Sequence, residues 1–505
     1  MSETILTKER ITFKDIEQIG FNLACEITNK ILETLLESYD KQAMESRDKS
    51  RYRHKGYETT TIKAKTGLVK YTRAKYLVKQ EDGTNKCVYL TDEELEIKKI
   101  GLFSGGVIDL IVKNIKEVSY RATAENINNC TGLDVSAVGT WNVVQDVAEK
   151  IKKYEQEKVE AYEEDKLVAG TKEVPIVYQE ADEILIYSQG KTRKENVKKY
   201  EKDHPNEEVP KRVRNIEIKM GMTYEGWEEI SKGRYALVEK EYISGNMTGQ
   251  EMADITNANL HSKYDMSKVE VRVLNSDGGS WIKRLLAAGA IHQADSFHIK
   301  DKINRHVRDA EDATVLKNMF WKKEYKEMIE YVDSLKYKYD GEYEEVKKLE
   351  ELETYLLKRQ DSIKRYNDNP EIKIKLKTFS KQTGLKYRNM GCQESNNYCK
   401  LTRRMKHRRM SWSKNGSENL AKVITTYASS SCKDIIEYLN IQILPENFTE
   451  YAEKYIRQIE ENIEKMKSQK EKMPSIYEFK QGSLVGHPNI KNILALTPVT
   501  ELTYR

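Results

Sequence analysis

Apolar positions recur along this chain with changing periods. Over residues 11–45, Ile16, Ile19, Phe21, Leu23, Ile27, Ile31 and Leu35 fall at helical spacing and predict one or two helices. The stretch "TTTIKAKTGLVKYTRAKYLVKQEDGTNKCVYL" (59–90) alternates β-branched and polar residues, broken at Thr66-Gly67 and Asp82-Gly83, and predicts a small antiparallel module. "SYRATAENINNCTGLDVSAVGTWNVVQDVAEKI" (119–151) predicts a helix, a turn at Thr131-Gly132, and a second helix capped by Asp134 or Ser136. Two readings stand for that pair. In a helix-turn-helix, Ser136, Thr140 and Asn142 lie on the outward face where base edges are met; otherwise it is an ordinary helical hairpin. Residues 152–173 continue as a charged helix or linker.

From Val174 the period changes to two. "VPIVYQEADEILIYSQ", "NIEIKMGMTYEGW" (215–227) and "RYALVEKEYISG" (234–245) predict three strands, and "QEMADITNANLHSKY" (250–264) a helix. "VEVRVLNSD" (269–277) is a fourth strand, "WIKRLLAAG" a helix, "IHQADSF" (291–297) a fifth short strand, and "HIKDKINRHVRDA" a helix again. The order β-β-β-α-β-α-β-α is that of a ribonuclease-H-like α/β domain. Residues 312–366 lack a strand pattern and read as an all-helical insertion; helix resumes from about Gln393 to Met405. The expected organisation is an N-terminal helical and β module (1–110), helix-turn-helix and linker (111–173), and first part of the core (174–311). A helical insertion (312–385), the last part of the core (386–445), and a C-terminal helix and tail (446–505) follow.

A length of 505 residues sets a prior of three or four domains. The chain has no run of about eighteen apolar residues, so no membrane span is expected. The opening "MSETILTKERITFKDIEQ" lacks a secretion-signal layout. Six cysteines without CxxC spacing argue against a zinc ribbon or disulfide framework and suit a reducing cytoplasm. Net charge is only +5, yet "SRDKSRYRHKG" (46–56), with Arg51, Arg53 and Lys55, is a concentrated basic patch. So is "KLTRRMKHRRMSWSK" (400–414), with Arg403, Arg404, Lys406, Arg408 and Arg409. Such patches either contact phosphates or are solvated helix faces.

Asp182 interrupts an apolar strand, where an unpaired charge costs several kcal/mol. Asp277 stands at the carboxyl end of the fourth strand, where open α/β sheets present ligand groups. In this order the first and fourth strands are neighbours, so the two acids can converge, and Glu394, at a helix start after the insertion, can close the site. Three carboxylates without a His or Cys cluster suit Mg²⁺, or Mn²⁺, and two ions about 4 Å apart perform in-line phosphoryl transfer. Gly278 and Gly279 then leave room for a nucleic-acid backbone beside Asp277. The plain alternatives are a turn residue for Asp182, a turn or N-cap residue for Asp277, and a helix-start acid for Glu394. Asp295 and His298 read either as a pair ordering the metal site or as a helix cap with its neighbouring histidine. Trp412 stacks on a base or packs in the core.

These segments, taken in order, resemble the bacterial insertion-sequence transposases of the ISLre type, related to the Mutator-like group with a DDE core. The resemblance runs through "SRDKSRYRHKG", "TIKAKTGLVKYTRAKY", "SYRATAENINNCTG", "YQEADE", "LNSDGGSWIK", "ADSFHIKDKI" and "GCQESNNYCKLTRRMKHRRMSWSKNGSENLAKV". It implies a ribonuclease-H-like domain interrupted by a helical insertion. Asp182, Asp277 and Glu394 match the catalytic acids, Asp295 and His298 a (C/D)xxH element, and Glu418 competes for the third acid. "GCQES" departs from the more glycine-rich version of relatives. The implied activity is 3′ phosphodiester hydrolysis at the ends of the element and transfer of the 3′-OH to target DNA. It requires two Mg²⁺ ions, double-stranded DNA, self-association into a synaptic complex, and a cytoplasmic, nucleoid-associated location. A ribonuclease-H-like nuclease without strand transfer and a catalytically dead DNA-binding regulator are the alternatives.

Overall fold

The computed structural model describes residues 11–438 except 81, 82, 96, 98, 99, 288, 408 and 409; the expected C-terminal helix and tail over 446–505 lies outside the described residues. Two compact units emerge: residues 11–111 with 121–140 in the first, and 112–120 with 141–438 in the second. The first unit thus ends inside the expected helix-turn-helix rather than at residue 110.

In the first unit one helix, α1 (Phe13–Ser46), covers the whole N-terminal periodic stretch and starts at a Thr12/Asp15 capping box. It lies on an antiparallel sheet of order β1-β2-β3: β1 (Arg53–Ala64), β2 (Gly67–Lys79) and β3 (Asn85–Val88). Ala43 of α1 packs against Ala74 and Tyr76 of β2. The buried Asp40 accepts from Ala74 N at 2.9 Å, so this acid is spent on the helix–sheet joint. Between β1 and β2 the turn needs Gly67, whose φ is +132° and whose missing Cβ would stand 3.1 Å from the Gly132 carbonyl. The chain continues through α2 (Leu90–Glu94), α3 (Gly105–Ile115), α4 (Tyr120–Cys130) and the long α5 (Ala137–Glu163). Asn128 fixes the α4–α5 turn by accepting from Val135 N at 2.8 Å, and Ser136 Oγ accepts from Gly139 N at 3.0 Å at the start of α5.

The second unit is built on five strands in the order β10-β9-β4-β5-β8. These are β4 (Ile176–Tyr187), β5 (Asn215–Tyr224), β8 (Glu241–Gly245), β9 (Val271–Ser276) and β10 (Ile291–Ala294). β4 runs parallel to β9 and antiparallel to β5. β9 and β10 are parallel, and β5 and β8 antiparallel. β4 is central and buried on both faces from Ile176 to Asp182, with apolar ends flanking the polar stretch from Gln179 to Glu183. Ala181 packs with Met252 and Ala253 of α7 (Gly249–Lys263).

Three expectations change. Between β4 and β5, where the expected order has strand following strand, the chain carries α6 (Gly190–Asp203), a helix with no buried residue, whose lack of an apolar stripe hid it from periodicity. The expected strand 234–245 is two strands. Glu239 takes φ +54°, a left-handed conformation that breaks the run, so β7 (Arg234–Val238) pairs with β6 (Gly226–Ser231) while β8 joins the main sheet. The expected helix after Asp277 is only a 3₁₀ stretch, Ser280–Arg284, between glycines with positive φ at 278 and 289.

The insertion is helical. α9 (Ala310–Lys322), α10 (Tyr325–Lys338) and α11 (Tyr343–Leu357) share one core with α8 (Ser296–His306), built on Ile299, Ile303, Leu316, Val332, Leu352 and Leu356. After α12 (Pro370–Thr383) come α13 (Gln393–Asn397), a single π turn (Tyr398–Thr402) and α14 (Arg403–Met405). α15 (Lys414–Thr426) and α16 (Cys432–Tyr438) complete the described chain. Among the described residues no helix is long and apolar enough to cross a membrane.

α15 is tied to α5 by an ion pair: Lys422 Nζ, fully buried, stands 2.7 Å from Glu155. Removing one partner of a buried pair strands the other charge. Lys422→Ala should lower unfolding stability by about 3–5 kcal/mol in urea titrations, and Lys422→Met with Glu155→Leu should recover most of it.

Candidate active site

Ala181 of β4 pairs with Ser276 of β9 in parallel register, so Asp182 and Asp277 are the next residues along two adjacent strands. That register explains their approach. Asp182 is buried, with Oδ1 accepting from Glu183 N at 2.8 Å and Oδ2 from Asn397 Nδ2 at 2.9 Å. Asp277 is held twice. Its Oδ1 accepts from Gly279 N at 2.8 Å, and its carbonyl accepts from Arg359 Nε at 3.0 Å, a guanidinium that follows α11 and lies 3.8 Å from the Tyr355 ring centroid. The helical insertion therefore reaches back to fix the strand end.

Glu394 comes from a distant part of the chain, and a second acid of β4 brings it in. Glu180, 1% exposed, accepts from the backbone N–H groups of Cys392 at 3.0 Å and Gln393 at 3.1 Å. It also accepts from Gly391 N at 3.4 Å, Tyr224 Oη at 2.7 Å and Asn275 Nδ2 at 3.1 Å. Gln393 Nε2 donates to the Met220 carbonyl and to Asn397 Oδ1, both at 2.9 Å. α13 is thereby pinned to β4 and β5, with Asn397 aimed at Asp182. Burial pushes the Glu394 carboxyl up, and the nearby charge of Asp182 pushes it further.

His298 balances these acids. Its Nε2 lies 3.5 Å from Asp182 Oδ2, an ion pair longer than a well-made hydrogen bond. Burial pulls the imidazole pKa down, but Asp182, then Asp295 and Asp277, outweigh burial and raise it to about 9. Asp295 itself caps α8, accepting from Phe297 N at 2.9 Å, and burial pushes its carboxyl up. The aspartate thus caps α8, and the histidine faces Asp182.

Among the described residues, no three His, Cys, Asp or Glu side chains stand close enough together to hold one metal ion. Glu394 lies within reach of the charges of Asp182 and Asp295, and His298 stands beside Asp182. Glu418, the competing third acid, pairs with Lys152 at 3.1 Å. Glu180, Arg359, Gln393 and Asn397 escaped the sequence reading. Glu180 had a signal, since it lies two residues before Asp182 and hence on the same strand face.

The expected DNA contacts divide. Arg51, Arg53 and Lys55 are exposed, on or beside β1. Ser136 and Asn142 are exposed, but Thr140 is fully buried with its hydroxyl donated to the Ser136 carbonyl, so it cannot meet a base edge. Arg404, 4% exposed, donates through Nε to the Ile115 carbonyl at 2.7 Å, and its role is structural. Arg403 pairs with Glu117, Lys406 is exposed, and Arg408 and Arg409 lie outside the described residues. Trp412 packs, its Nε1 donating to the Met405 carbonyl at 2.7 Å.

The model of an uncharacterised protein family, UPF0236, matches residues 6–438. The chain belongs to the UPF0236 family. Similar members come from Caldanaerobacter subterraneus subsp. tengcongensis. One UPF0236 protein is 23% identical over 448 residues, covering 81% of this chain and 79% of its own. Another, 23% identical over 443 residues with the same coverage, bears a name joining eleven locus labels. The ISLre resemblance goes beyond what this family description says.

Two measurements probe this UPF0236 site. Glu180→Ala leaves several buried donors unpaired and should cost about 3 kcal/mol or more in urea unfolding. Amide exchange at Cys392 and Gln393 should accelerate in the same variant, whereas a Glu180 that merely fills space would leave those amides protected. His298 has a folded pKa above its ordinary 6.5, so its contribution is complete below pH 6.5 and lost as pH rises through about 9. In metal-free protein, the stability difference between the wild type and His298→Gln should shrink across that window.

Proposed function

We propose that this UPF0236 chain is a DNA transposase with a ribonuclease-H-like core that cleaves the 3′ phosphodiester bonds at its element's ends and joins the 3′-OH ends to target DNA. The observation that carries the reading is that the parallel register of β4 and β9 sets Asp182 and Asp277 side by side at the sheet's edge, with His298 beside Asp182 and Glu394 within reach of the Asp182 charge. Glu394, pushed up by burial and by the charge of Asp182, is the kind of perturbed acid that clusters at functional sites. Support also comes from the sheet order, with β4 central and β5 antiparallel to it, and from the helices inserted between Asp277 and Glu394. The relative whose name joins eleven loci of one genome fits a self-copying element.

In this reading Asp182, Asp277 and Glu394 would hold Mg²⁺, or Mn²⁺ in its place. When bound, the ions activate the attacking water or 3′-hydroxyl and stabilise the leaving oxygen. The rest falls to the chain. Asn397 orients Asp182 through Oδ2, and Arg359 fixes the backbone of Asp277. The Glu180 bracket sets the height of Glu394 over the sheet. Lys406, exposed and with its charge reaching Glu394, would meet a phosphate, and Arg51, Arg53, Lys55 and Asn142 are exposed for DNA contact. Joining two ends requires self-association on DNA.

The test is an assay with labelled end DNA and a target plasmid. Asp182→Asn and Asp277→Asn should each lower 3′ cleavage on the order of 10³-fold or more while end binding persists. Wild-type affinity should fall about 10³–10⁵-fold between 50 and 200 mM salt if six to ten phosphates are contacted. Cleavage surviving both substitutions would end this reading.

A further inference from the structure

α6 is unlike every other long helix described in its unit. It buries no residue, yet carries Lys191, Arg193, Lys194, Lys198, Lys199 and Lys202, all exposed. Among the described residues none of these six is ion-paired. Cations four apart on one helix face repel one another, as Lys194 does Lys198 and Lys198 does Lys202. Glu195, Glu201 and Asp203 offset half of these six charges, and with no buried face to hold the helix the surplus of three cations is open to an external partner of opposite sign.

Its position says where that partner leads. β4 and β9 are parallel, and β9 ends at Ser276, immediately before Asp277. α6 leaves β4 beyond Tyr187, at the same carboxyl edge of the sheet. Between α6 and the start of β5 lies a hollow of about 400 Å³ whose lining includes Thr192, Asn196, Arg212, Glu217, Asn246 and Lys414. Thr192 and Asn196 are one helical turn apart, and Lys199 follows along that face. Arg212 bonds Glu217 through Nε at 2.8 Å and pairs with Glu183 at 3.3 Å. Asp277 also lies within reach of its charge. Arg212 thus links the hollow to the acid site, and Lys414 is the second cation on its wall.

We propose that α6, together with Arg212 and Lys414, is a backbone track for target DNA, which it holds without regard to sequence and directs toward Asp277. Lysine is the reason for choosing target over element end. Exposed ammonium groups contact phosphates and carry no sequence information, whereas an element end has to be recognised by its bases. The inference rests on the transposase reading, and one variant separates the two.

Lys194→Gln, Lys198→Gln, Lys199→Gln and Lys202→Gln are combined in the full chain. None of these positions is buried and glutamine favours helix, so circular dichroism and the thermal midpoint should match the wild type. For random-sequence duplex, the plot of log affinity against log salt should flatten by about 0.9 for each lost phosphate contact, roughly 3–4 in all. End-DNA cleavage should be unchanged, and joining to a target plasmid should fall at least about tenfold, the loss expected when positioning contacts go. An unchanged salt slope overturns the track, whatever the wild type does to end DNA. Joining at the wild-type rate, or cleavage falling in step with joining, overturns the assignment to target DNA.

Discussion

One buried carboxylate holds the candidate site together. Glu180 sits in the middle of the central strand, where an ion without partners would cost several kcal/mol, and it is satisfied by backbone N–H groups of Gly391, Cys392 and Gln393 together with Tyr224 and Asn275. The cost of burying the charge is offset only while the segment before α13 is docked. The acid thus works as a condition on the fold: the strand is comfortable only when the chain 212 residues later has returned to it. Glu394, one residue beyond the last of those donors, is placed by that condition and not by packing of its own side chain.

The same logic runs through the neighbouring groups. Asp182 is drawn between Asn397 and His298, Asp277 is clamped through its carbonyl by Arg359, and Asp295 spends its lone pairs on the first turn of α8. Asp182 and Asp277 are each held by groups from distant segments, so their arrangement is rigid only as a whole. The helical insertion is part of this. It folds on its own core with α8, which carries His298, and returns through Arg359 to the end of β9. An insertion that packs against the helix bearing His298 and supplies the Arg359 clamp is not a passive spacer.

Basic residues show how composition misleads when burial is unknown. Arg404 stands in the densest basic run of the chain, yet its guanidinium is enclosed and bonded to the Ile115 carbonyl. Thr140 lies at a position where a recognition helix would face outward, yet it points inward. The cations that face solvent unpaired in greatest number belong to α6, which has no apolar stripe and so left no periodic trace. Charge density along a sequence measures local composition, whereas availability to a phosphate depends on what else has packed against the side chain.

Local pattern was enough to mark β4 and β9 as strands, α1, α5 and α9–α11 as helices, and Asp182 and Asp277 as misfits at strand positions, because strand and helix periods are written into neighbouring residues. Breaks set by single backbone conformations, such as Glu239 between β7 and β8, left no such mark. The partners of the acids were also out of reach: Glu180 with the 391–393 backbone, Arg359 with Asp277, and Asn397 with Asp182 join positions between 82 and 215 residues apart. A hydrogen bond of that span leaves no periodicity, since it depends on where two independently formed elements meet. The residue types needed for the chemistry were present in the linear chain; which of them face one another was decided by the register of the sheet and by the need of one buried charge for donors.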